Sequence, residues 1–561
     1  MPSEPDVSHN AALPIGEDGG FDETARTAAQ MAVAAHVDVT GIPFPTLAFH
    51  SLFYRSVEER LAGAVPYVIA AYAGAWVLVQ WLTFSGLRFD AYEMLLMGHE
   101  WQLAYWKHPA LPPWMAEAVF ELSGRSTAAM AVLPVACAAV ALWLVWRLCR
   151  PILGTTGAAL ATGLSLCSWY LMTPVTQFNH NVAQLPFWVL TVLCYRRAIL
   201  KSSYANWIAF GVVAALLLQT KYTGVLLLAT LAVHACWFET SRRQLRTPQA
   251  WTGIAVAIAL ILPQLFQLVL HDRSALTYAV DRPPYRSLYD HVLGPLALLG
   301  SQAFFHVAVL ILVLAARPYN AAQRAGAVAF TLPKRTPFDT SLLIAGMAGP
   351  LALGLIFYGI AGVWGRPEAL GSMFMLVGPA VIACAGRTLV IARPRLVLAF
   401  FALTVFGMPV CSILDSFMHP IVFHRLRTEQ IPFAAATDAM EFDWWRLTGR
   451  PLTILAGDTA IAGGFAAYME PRPSVLIDGM RDRSPWITAK RITSEGVMIV
   501  WLIKDARQPL PPSELVKPLA GYAIERIAPL RVVTRWDRYV PPVLFGRAII
   551  RPAQTSMSST Q

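Results

Sequence analysis

Long apolar segments fill the sequence between Leu61 and Leu414 and decide what this chain can fold into. A helix needs about 20 mostly apolar residues to cross a membrane. Eleven segments have this character, and the chain is 56% hydrophobic and only 14% charged. The pattern predicts a mostly α-helical, polytopic membrane bundle of about eleven spans, and it excludes a soluble enzyme, a disordered scaffold and a fibrous repeat. The segments are Ala62–Leu82, Thr127–Leu148, Gly154–Leu171, Val182–Tyr195, Trp207–Leu218, Val225–Phe238, Trp251–Leu270, Pro295–Ala315, Leu342–Ile360, Ser372–Ala385 and Leu396–Leu414.

Basic residues in the connections predict how these spans are oriented. With the N-terminus on the cytoplasmic side, the inner connections hold fifteen Lys and Arg residues and the outer connections hold eight. Cytoplasmic loops of membrane proteins carry the excess of positive charge. The sequence therefore predicts a cytoplasmic N-terminus and an outer C-terminus. The net charge of +10 is then an orientation signal, and we expect no nucleic-acid partner.

Changes of composition along the chain predict three regions. Residues 1–61 contain nine acidic and three basic residues, which is typical of a loose tail. Residues 62–414 form the transmembrane domain. Residues 415–561 alternate strand-like and helix-like segments, which predicts an outer α/β domain with a partly parallel sheet. The strand-like segments are Arg450–Gly457, Ser474–Asp478 and Val497–Ile503, and the helix-like ones are Thr459–Met469 and Pro485–Ser494.

The connection after the first span contains two carboxylates. Asp90 and Glu93 are three residues apart, so on a helix they lie on one face. A carboxyl group among apolar and aromatic residues has a raised pKa, which suits a general base. An acidic helix start beside interfacial aromatic residues has the same pattern, and the spacing alone favours neither interpretation.

Lys221 lies in a very short connection between two apolar runs, where its charge has to be neutralised. A phosphate group is a natural partner, and snorkelling of the side chain to the lipid headgroups is the alternative. Arg273, Arg282 and Arg366 offer further positive charge on the same side of the membrane. Each of these arginines alone is more typical of an ordinary surface charge.

Asn179 and Asn181 stand at the start of another apolar run, where asparagine commonly caps a helix. The histidines of the connections lack a close metal-ligand spacing such as HxxxH, so a divalent metal is possible but not indicated. We expect no cofactor to be required. The seven cysteines form no CxxC and lie in or beside apolar segments. They indicate neither a disulfide framework nor a zinc ribbon.

Several short motifs follow one another in the membrane half of the chain. They are Asp90-x-x-Glu93, Gly98-x-Glu100-Trp101, Tyr105-x-Lys107-His108-Pro109 with Trp114, Gln177-Phe-Asn-His-Asn181 and Thr220-Lys-Tyr222. In this order they resemble the family 39 glycosyltransferases of the GT-C fold. That family includes bacterial lipid A aminoarabinose transferases, rhizobial galacturonosyltransferases and protein O-mannosyltransferases. The α/β tail fits only loosely, and the motifs do not specify a sugar.

The resemblance implies an inverting membrane enzyme that moves a monosaccharide from a polyprenyl-phosphate donor to an envelope acceptor, whether a lipid, a lipopolysaccharide, a glycan or a protein. An outer-loop carboxylate beside the first span is the base in this family. The family's adjacent Asp-Glu pair is separated here as Asp90-Ala-Tyr-Glu93, so both carboxylates are candidates. Basic residues hold the donor phosphate, and the candidates are Lys221, Arg273, Arg282 and Arg366. The candidate substrate-binding residues are Tyr92, Glu100, Trp101, Tyr105, Lys107, His108, Asn179, Asn181 and Tyr222.

The resemblance also implies a location and a set of partners. We expect a multi-pass protein of the bacterial cytoplasmic membrane, with membrane lipids around it and a periplasmic C-terminal domain. One alternative is a transporter or flippase, which is typically marked by inverted repeats and mid-membrane charges. Another is a non-catalytic envelope scaffold. The ionisable residues cluster at the outer boundary instead of mid-membrane, which favours the enzyme.

Overall fold

A computed structural model describes residues 46–270, 287–319, 327–504 and 509–553. The chain divides into two compact units, Met1–Val57 and Glu58–Gln561. In the first unit, the described structure is the start of a helix at Thr46.

Helices form the membrane half of the chain and are numbered in chain order. They are α1 (Thr46–Thr83), α2 (Phe89–Gly98), α3 (Leu111–Leu122), α4 (Thr127–Leu166), α5 (His180–Leu200), α6 (Tyr204–Thr220), α7 (Gly224–Trp237), α8 (Glu239–Leu245), α9 (Pro248–Leu270), α10 (Leu288–Phe305), α11 (Val307–Ala316), α12 (Pro337–Ala361), α13 (Val377–Cys384), α14 (Pro394–Ala402) and α15 (Met408–Phe423). Short 3-10 segments at Trp169–Leu171, Thr173–Thr176, Pro367–Leu376 and Thr428–Gln430 and a π-helical turn at Leu403–Gly407 join them. A small antiparallel pair, β1 (Val328–Thr331) and β2 (Thr388–Ile391), lies between them.

The number of membrane crossings can be compared with the eleven apolar segments. In the described part of the chain, six helices are long and apolar enough to cross a membrane, or eight if each of two bent helix pairs is one span. Each of the eleven segments overlaps helical structure. The smaller number arises because α4 contains two of the segments, while α5 and α6 do not meet the length and composition limits. The chain is a mostly helical, multi-pass membrane protein.

A sharp break divides the longest helix, α4. Its 40 residues would extend about 60 Å as a straight helix, which is twice the thickness of a bilayer core. Gly154 interrupts it with φ +72° and ψ 179°, a backbone conformation that side chains with a Cβ rarely adopt. The break coincides with the start of the second of the two predicted segments, so α4 is a pair of helices joined at this glycine.

Close helix packing holds the bundle together where small residues meet. At Gly378 in α13, an added Cβ atom would lie 1.8 Å from the carbonyl oxygen of Ala161 in α4. The two backbones therefore approach each other as only a glycine permits. Such contacts are the usual source of helix association in a membrane, where lipid is as apolar as the side chains.

The C-terminal domain consists of a five-stranded sheet with short helices. The elements are α16 (Ala434–Thr448), β3 (Ile454–Gly457), α17 (Thr459–Ala466), β4 (Ser474–Ile477), α18 (Ala489–Glu495), β5 (Val497–Leu502), α19 (Ser513–Val516), β6 (Glu525–Val532) and β7 (Val543–Ile550), with a 3-10 segment at Lys517–Leu519. The strand order is β4-β3-β5-β7-β6. Strands β4, β3 and β5 are parallel, and β7 and β6 continue the sheet in antiparallel pairs. The expected partly parallel α/β domain is thus confirmed.

This domain packs against the connection that follows α1. Arg472 Nη1 lies 2.7 Å from Glu117 Oε1 of α3, and both side chains are only 3% exposed. Arg472 also donates to the carbonyl oxygen of Leu95 in α2 at 3.3 Å. Helix α2 is therefore held between the C-terminal domain and the membrane bundle. The domain limits at residues 61 and 414 and the orientation in the membrane stay predictions.

Candidate active site

Connections at one end of the bundle enclose a cavity of about 810 Å³. Its walls come from α2, the loop before α3, the segment leading into α5, the α6–α7 connection and the segment between α12 and α13. Many of the residues that the sequence singles out line this cavity. They are Asp90, Glu93, Lys107, His108, Asn179, Asn181, Lys221, Tyr222 and Arg366. Segments that are far apart in the chain therefore meet at one site.

Asp90 lies in the first turn of α2, and Asn179 holds its carboxylate. The Nδ2 atom of Asn179 donates to Asp90 Oδ2 at 2.8 Å. The Oδ1 atom of the same amide accepts the backbone N–H groups of Asn181 and Val182, each at 3.0 Å, so Asn179 is the N-cap of α5. Asp90 is thereby fixed beside the N-terminal ends of two helices, α2 and α5, which favour a negative charge.

Glu93 lies one turn further along α2 and faces the same cavity. Its buried carboxylate oxygen Oε1 is 2.5 Å from Lys107 Nζ. Burial raises the pKa of Glu93, the positive charge of Lys107 opposes this rise, and the charge of Asp90 adds to it. The two carboxylates therefore differ in chemistry. Glu93 is paired with a cation, whereas Asp90 takes part in no ion pair among the described residues.

A tight loop before α3 presents Lys107 and His108 to the cavity. An antiparallel bridge between Ala104 and Pro109 closes this loop. The His108 ring packs on the His180 ring with centroids 4.0 Å apart, and His180 Nε2 lies 3.2 Å from the carbonyl oxygen of Pro109. His180, the first residue of α5, thus holds this loop in place at the cavity wall.

Lys221 follows the last residue of α6, and its ammonium group points to neutral oxygen atoms. Nζ donates to Asn181 Oδ1 and, at 3.2 Å, to the carbonyl oxygen of Ala369. Among the residues that the structure describes, Lys221 forms no ion pair. Desolvation lowers its pKa to about 7, and the charge of Glu368 acts weakly in the other direction. A desolvated cation held only by neutral acceptors is suited to pair with an anion that enters the cavity.

The first turn of α5 connects the carboxylate to the cation. Asn179 binds Asp90, and Asn181, two residues further on, binds Lys221. Sequence reasoning treats these asparagines as ordinary helix caps or substrate ligands. The structure shows that Asn179 caps the helix and also orients a charged group of the cavity.

Of the three arginines selected from the sequence, Arg366 is the one that the structure describes, and it lines the cavity. Arg366 is exposed and forms the N-cap of the 3-10 segment Pro367–Leu376. Arg273 and Arg282 lie outside the described residues. Arg88, which sequence reasoning does not select, lines the cavity and donates from Nη1 to Thr176 Oγ1 at 2.8 Å. Arg88 and Thr176 also line a second cavity of about 290 Å³.

Four residues selected from the sequence do not line the cavity: Tyr92, Glu100, Trp101 and Tyr105. Tyr92 is fully buried, and its hydroxyl accepts the N–H of Leu87 at 2.9 Å. The Tyr105 hydroxyl donates to a backbone carbonyl of α2 at 2.6 Å. Trp101 is exposed, and the carboxylate of Glu100 is directed to strand β4. These side chains stabilise the connection around the site and do not face the cavity.

Other lining residues are not among the candidates selected from the sequence. They include aromatic side chains suited to pack on a sugar ring and two polar side chains, namely Trp169, Tyr170, Tyr358, Trp364, Gln177 and Glu368. Only Gln177 lies in one of the motifs. In the described ranges, no three His, Cys, Asp or Glu side chains form a group that could hold a metal ion.

Comparison with known proteins tests the resemblance. The family model described as dolichyl-phosphate-mannose-protein mannosyltransferase matches residues 107–266. The crystal structure of ArnT from Cupriavidus metallidurans bound to undecaprenyl phosphate superposes with a TM-score of 0.54 at 12% sequence identity, covering 86% of this chain and 98% of that one. Its apo structure gives a TM-score of 0.52 at 13% identity with the same coverage. No curated protein matches the chain in sequence.

The residues matched by the family model run from the Lys107 loop through α4, α5, α6 and α7 into α9, and they include most of the cavity-lining segments. The superposition extends over nearly the whole ArnT chain and most of this one. The chain therefore has the GT-C fold, and the resemblance to the family 39 glycosyltransferases that its motifs indicate is confirmed.

Proposed function

We propose that the chain is a membrane glycosyltransferase that transfers a monosaccharide from a polyprenyl-phosphate donor to a hydroxyl group of an envelope acceptor. One observation carries the proposal. The first turn of α5 holds a carboxylate, Asp90, and a desolvated cation, Lys221, on the wall of the same cavity. The similarity in fold to an ArnT that binds undecaprenyl phosphate supports a donor of this class.

Lys221 is the proposed site of the donor phosphate. Its ammonium group has neutral partners in the described structure and a pKa lowered to about 7, so an entering phosphate gains a strong charged contact. Lys107, Arg88 and Arg366 add positive charge along the cavity wall. Arg273 and Arg282 keep the role that the resemblance implies for them.

Asp90 is the proposed general base. Glu93 is already paired with Lys107 at 2.5 Å, whereas the Asp90 carboxylate is held by a neutral amide and forms no ion pair among the described residues, which favours Asp90 as the proton acceptor. Glu93 then fixes Lys107 at the cavity. The arrangement thus assigns different tasks to two carboxylates that the sequence leaves equivalent.

The reaction follows from this placement. The acceptor hydroxyl gives its proton to Asp90, and its oxygen attacks the anomeric carbon of the donor sugar. The bond between that carbon and the phosphate oxygen breaks, so the configuration inverts and polyprenyl phosphate leaves. Lys221 stabilises the negative charge that develops on the leaving phosphate. The cavity aromatic rings, Tyr222 among them, and the side chains of His108 and Asn181 bind the sugar.

We further propose that the chain lies in the bacterial cytoplasmic membrane with its N-terminus in the cytoplasm. The cavity and the C-terminal domain then face the periplasm, where envelope acceptors are found. The excess of basic residues in the inner connections supports this orientation.

Transfer assays in proteoliposomes test the proposal. Purified protein is supplied with individual radiolabelled polyprenyl-phosphate sugars and an envelope lipid extract, and new glycoconjugates are separated by chromatography. We expect Asp90→Asn to lower transfer by about 100-fold or more, in the range typical of a lost general base. Asp438→Asn is the matched control, because Asp438 is exposed and lies on α16, away from the cavity lining.

The outcome separates the proposal from its alternatives. If Asp90→Asn keeps full transfer, the assignment of the base is wrong, and a loss of transfer in Glu93→Gln alone would move the role to Glu93. If the labelled sugar crosses the bilayer on its unchanged lipid carrier, the chain is a flippase. If no labelled product forms with any donor while the protein binds envelope glycan through its C-terminal domain, the chain is a scaffold.

A further inference from the structure

The C-terminal domain contacts the loop that carries Lys107. Arg483, in the connection between β4 and α18, places its guanidinium carbon 4.7 Å from the centroid of the Trp106 ring. The ammonium group of Lys107 lies 5.0 Å from the same centroid. Trp106 therefore links a cation of the C-terminal domain to a cation of the cavity. A guanidinium group packed on an indole ring is a specific and favourable contact.

Arg483 is itself fixed by its neighbours. It forms an ion pair with Asp478, the residue that follows β4. Asp478 has φ +52°, in the left-handed region that aspartate tolerates better than most residues. The guanidinium group thus has one partner on its own domain and one on the loop.

Internal hydrogen bonds keep the loop that carries Trp106 and Lys107 in one shape, so it moves as a unit. The bridge between Ala104 and Pro109 closes it, and the N–H of Tyr105 donates to the carbonyl oxygen of His108 at 3.1 Å. Within it, Lys107 reaches Glu93 at 2.5 Å, with side-chain exposures of 14% and 6%. A shift of Trp106 would therefore move the adjacent Lys107 away from its carboxylate.

We propose that Arg483 is a positioning residue of the active site, which packs on Trp106 and so holds Lys107 against Glu93 at the cavity. Arg483 does not line the cavity and touches no reacting group. The expected effect of Arg483 on sugar transfer rests on the proposed function. The expected effect of Arg483 on the structure of the Lys107 loop does not. Docking of the domain as a whole is secured separately by the buried pair Arg472–Glu117, so a change at Arg483 leaves the domain in place.

Hydrogen exchange tests the structural part in the full-length protein. We compare Arg483→Ala with the control Arg481→Ala, an exposed arginine in the same connection. Loss of the contact is expected to speed exchange in the peptide that contains Tyr105 and Lys107 by roughly tenfold, as befits a cation–π contact at a partly buried site. The control leaves the peptide unchanged, and Arg483→Lys restores part of the protection. Unchanged exchange in Arg483→Ala overturns the proposal.

A double-mutant cycle tests the functional part by sugar transfer. Arg483→Ala and Lys107→Ala are each expected to lower transfer by about tenfold or more, and the double variant is expected to be no slower than Lys107→Ala alone. Multiplied losses in the double variant show that Arg483 does not act through Lys107 and overturn the proposal. If the unmodified protein transfers no sugar, the proposed function fails, and hydrogen exchange alone then decides the role of Arg483.

Discussion

Replacing Lys221 by methionine removes the ammonium group from the cavity and keeps a side chain of similar length. A hydrogen bond to a charged group contributes about 1.5–3 kcal/mol. Since about 1.4 kcal/mol corresponds to a factor of ten, we expect Lys221→Met to bind undecaprenyl phosphate roughly 10- to 150-fold more weakly. The protein should stay folded, because the variant removes a desolvated charge whose partners in the described structure are neutral oxygens.

The lowered pKa makes the same contact depend on pH. Lys221 in the free protein loses its proton as the pH rises through about 7. A bound phosphate favours the ammonium form and raises this pKa in the complex. Affinity therefore falls by up to about tenfold for each pH unit above 7, until the pKa of the complex is reached. The phosphate changes its own charge little in this window, since with a second pKa of about 6 it is about nine-tenths doubly ionised at pH 7.

Equilibrium binding of radiolabelled undecaprenyl phosphate to the purified protein in detergent, measured from pH 7 to pH 9, checks both expectations. The control is Lys201→Met, which removes an exposed lysine between α5 and α6. The unmodified protein and the control should lose affinity with rising pH, whereas Lys221→Met should bind weakly at every pH. Equal affinities for the two variants, or a flat pH profile of the unmodified protein, would refute the assignment of Lys221.

Three further changes test the site and its scaffold. Asn179→Ala removes both the cap of α5 and the amide that holds Asp90, so we expect a loss of stability of about 1 kcal/mol by thermal unfolding and a larger loss of transfer than of stability. Arg472→Met leaves Glu117 buried with His99, at 3.5 Å, as its remaining basic neighbour and should cost about 3–5 kcal/mol in the free energy of unfolding, much of which Glu117→Gln in the same chain should restore. Gly378→Ala forces α13 away from α4 and should destabilise by about 1–3 kcal/mol or more, which a lowered melting temperature will show; an unchanged value contradicts the close packing.

Much of the fold can be predicted from the sequence because burial leaves a strong signal in composition. The apolar segments become helices, and the short apolar runs near residues 454, 474 and 497 become the parallel strands β3, β4 and β5, which are almost wholly buried. Strands β1 and β2 give no such signal. Each has four residues, and about 60 residues separate the two partners, so only the assembled bundle brings them together.

The site is predicted less completely. Whether a side chain lines the cavity depends on how its helix or loop is oriented in the folded protein, and the spacing of residues in the sequence does not give that orientation. Asp90 and Glu93 share a helix face and do line the cavity, but Tyr92, two residues from Asp90, projects from the opposite side of α2 into the core. Arg88 and Trp364 line the cavity although no motif contains them. Both residues follow the end of a helix, α1 or α12, and the local sequence does not determine the direction that the chain takes there.

Position 179, the N-cap of α5, accepts fewer residue types than helix capping alone would allow. Serine, threonine, aspartate and asparagine all serve as N-caps, because each supplies an oxygen to the free N–H groups. At position 179 the same side chain also donates to Asp90, and of these four residues only asparagine combines a planar acceptor with a nitrogen donor. Aspartate has nearly the same shape as asparagine, but at position 179 its carboxylate would lie beside that of Asp90, and the two negative charges would repel each other. A single amide thus couples the start of a membrane helix to the charge on its neighbour, so the second contact restricts the residue type at this position more than the first.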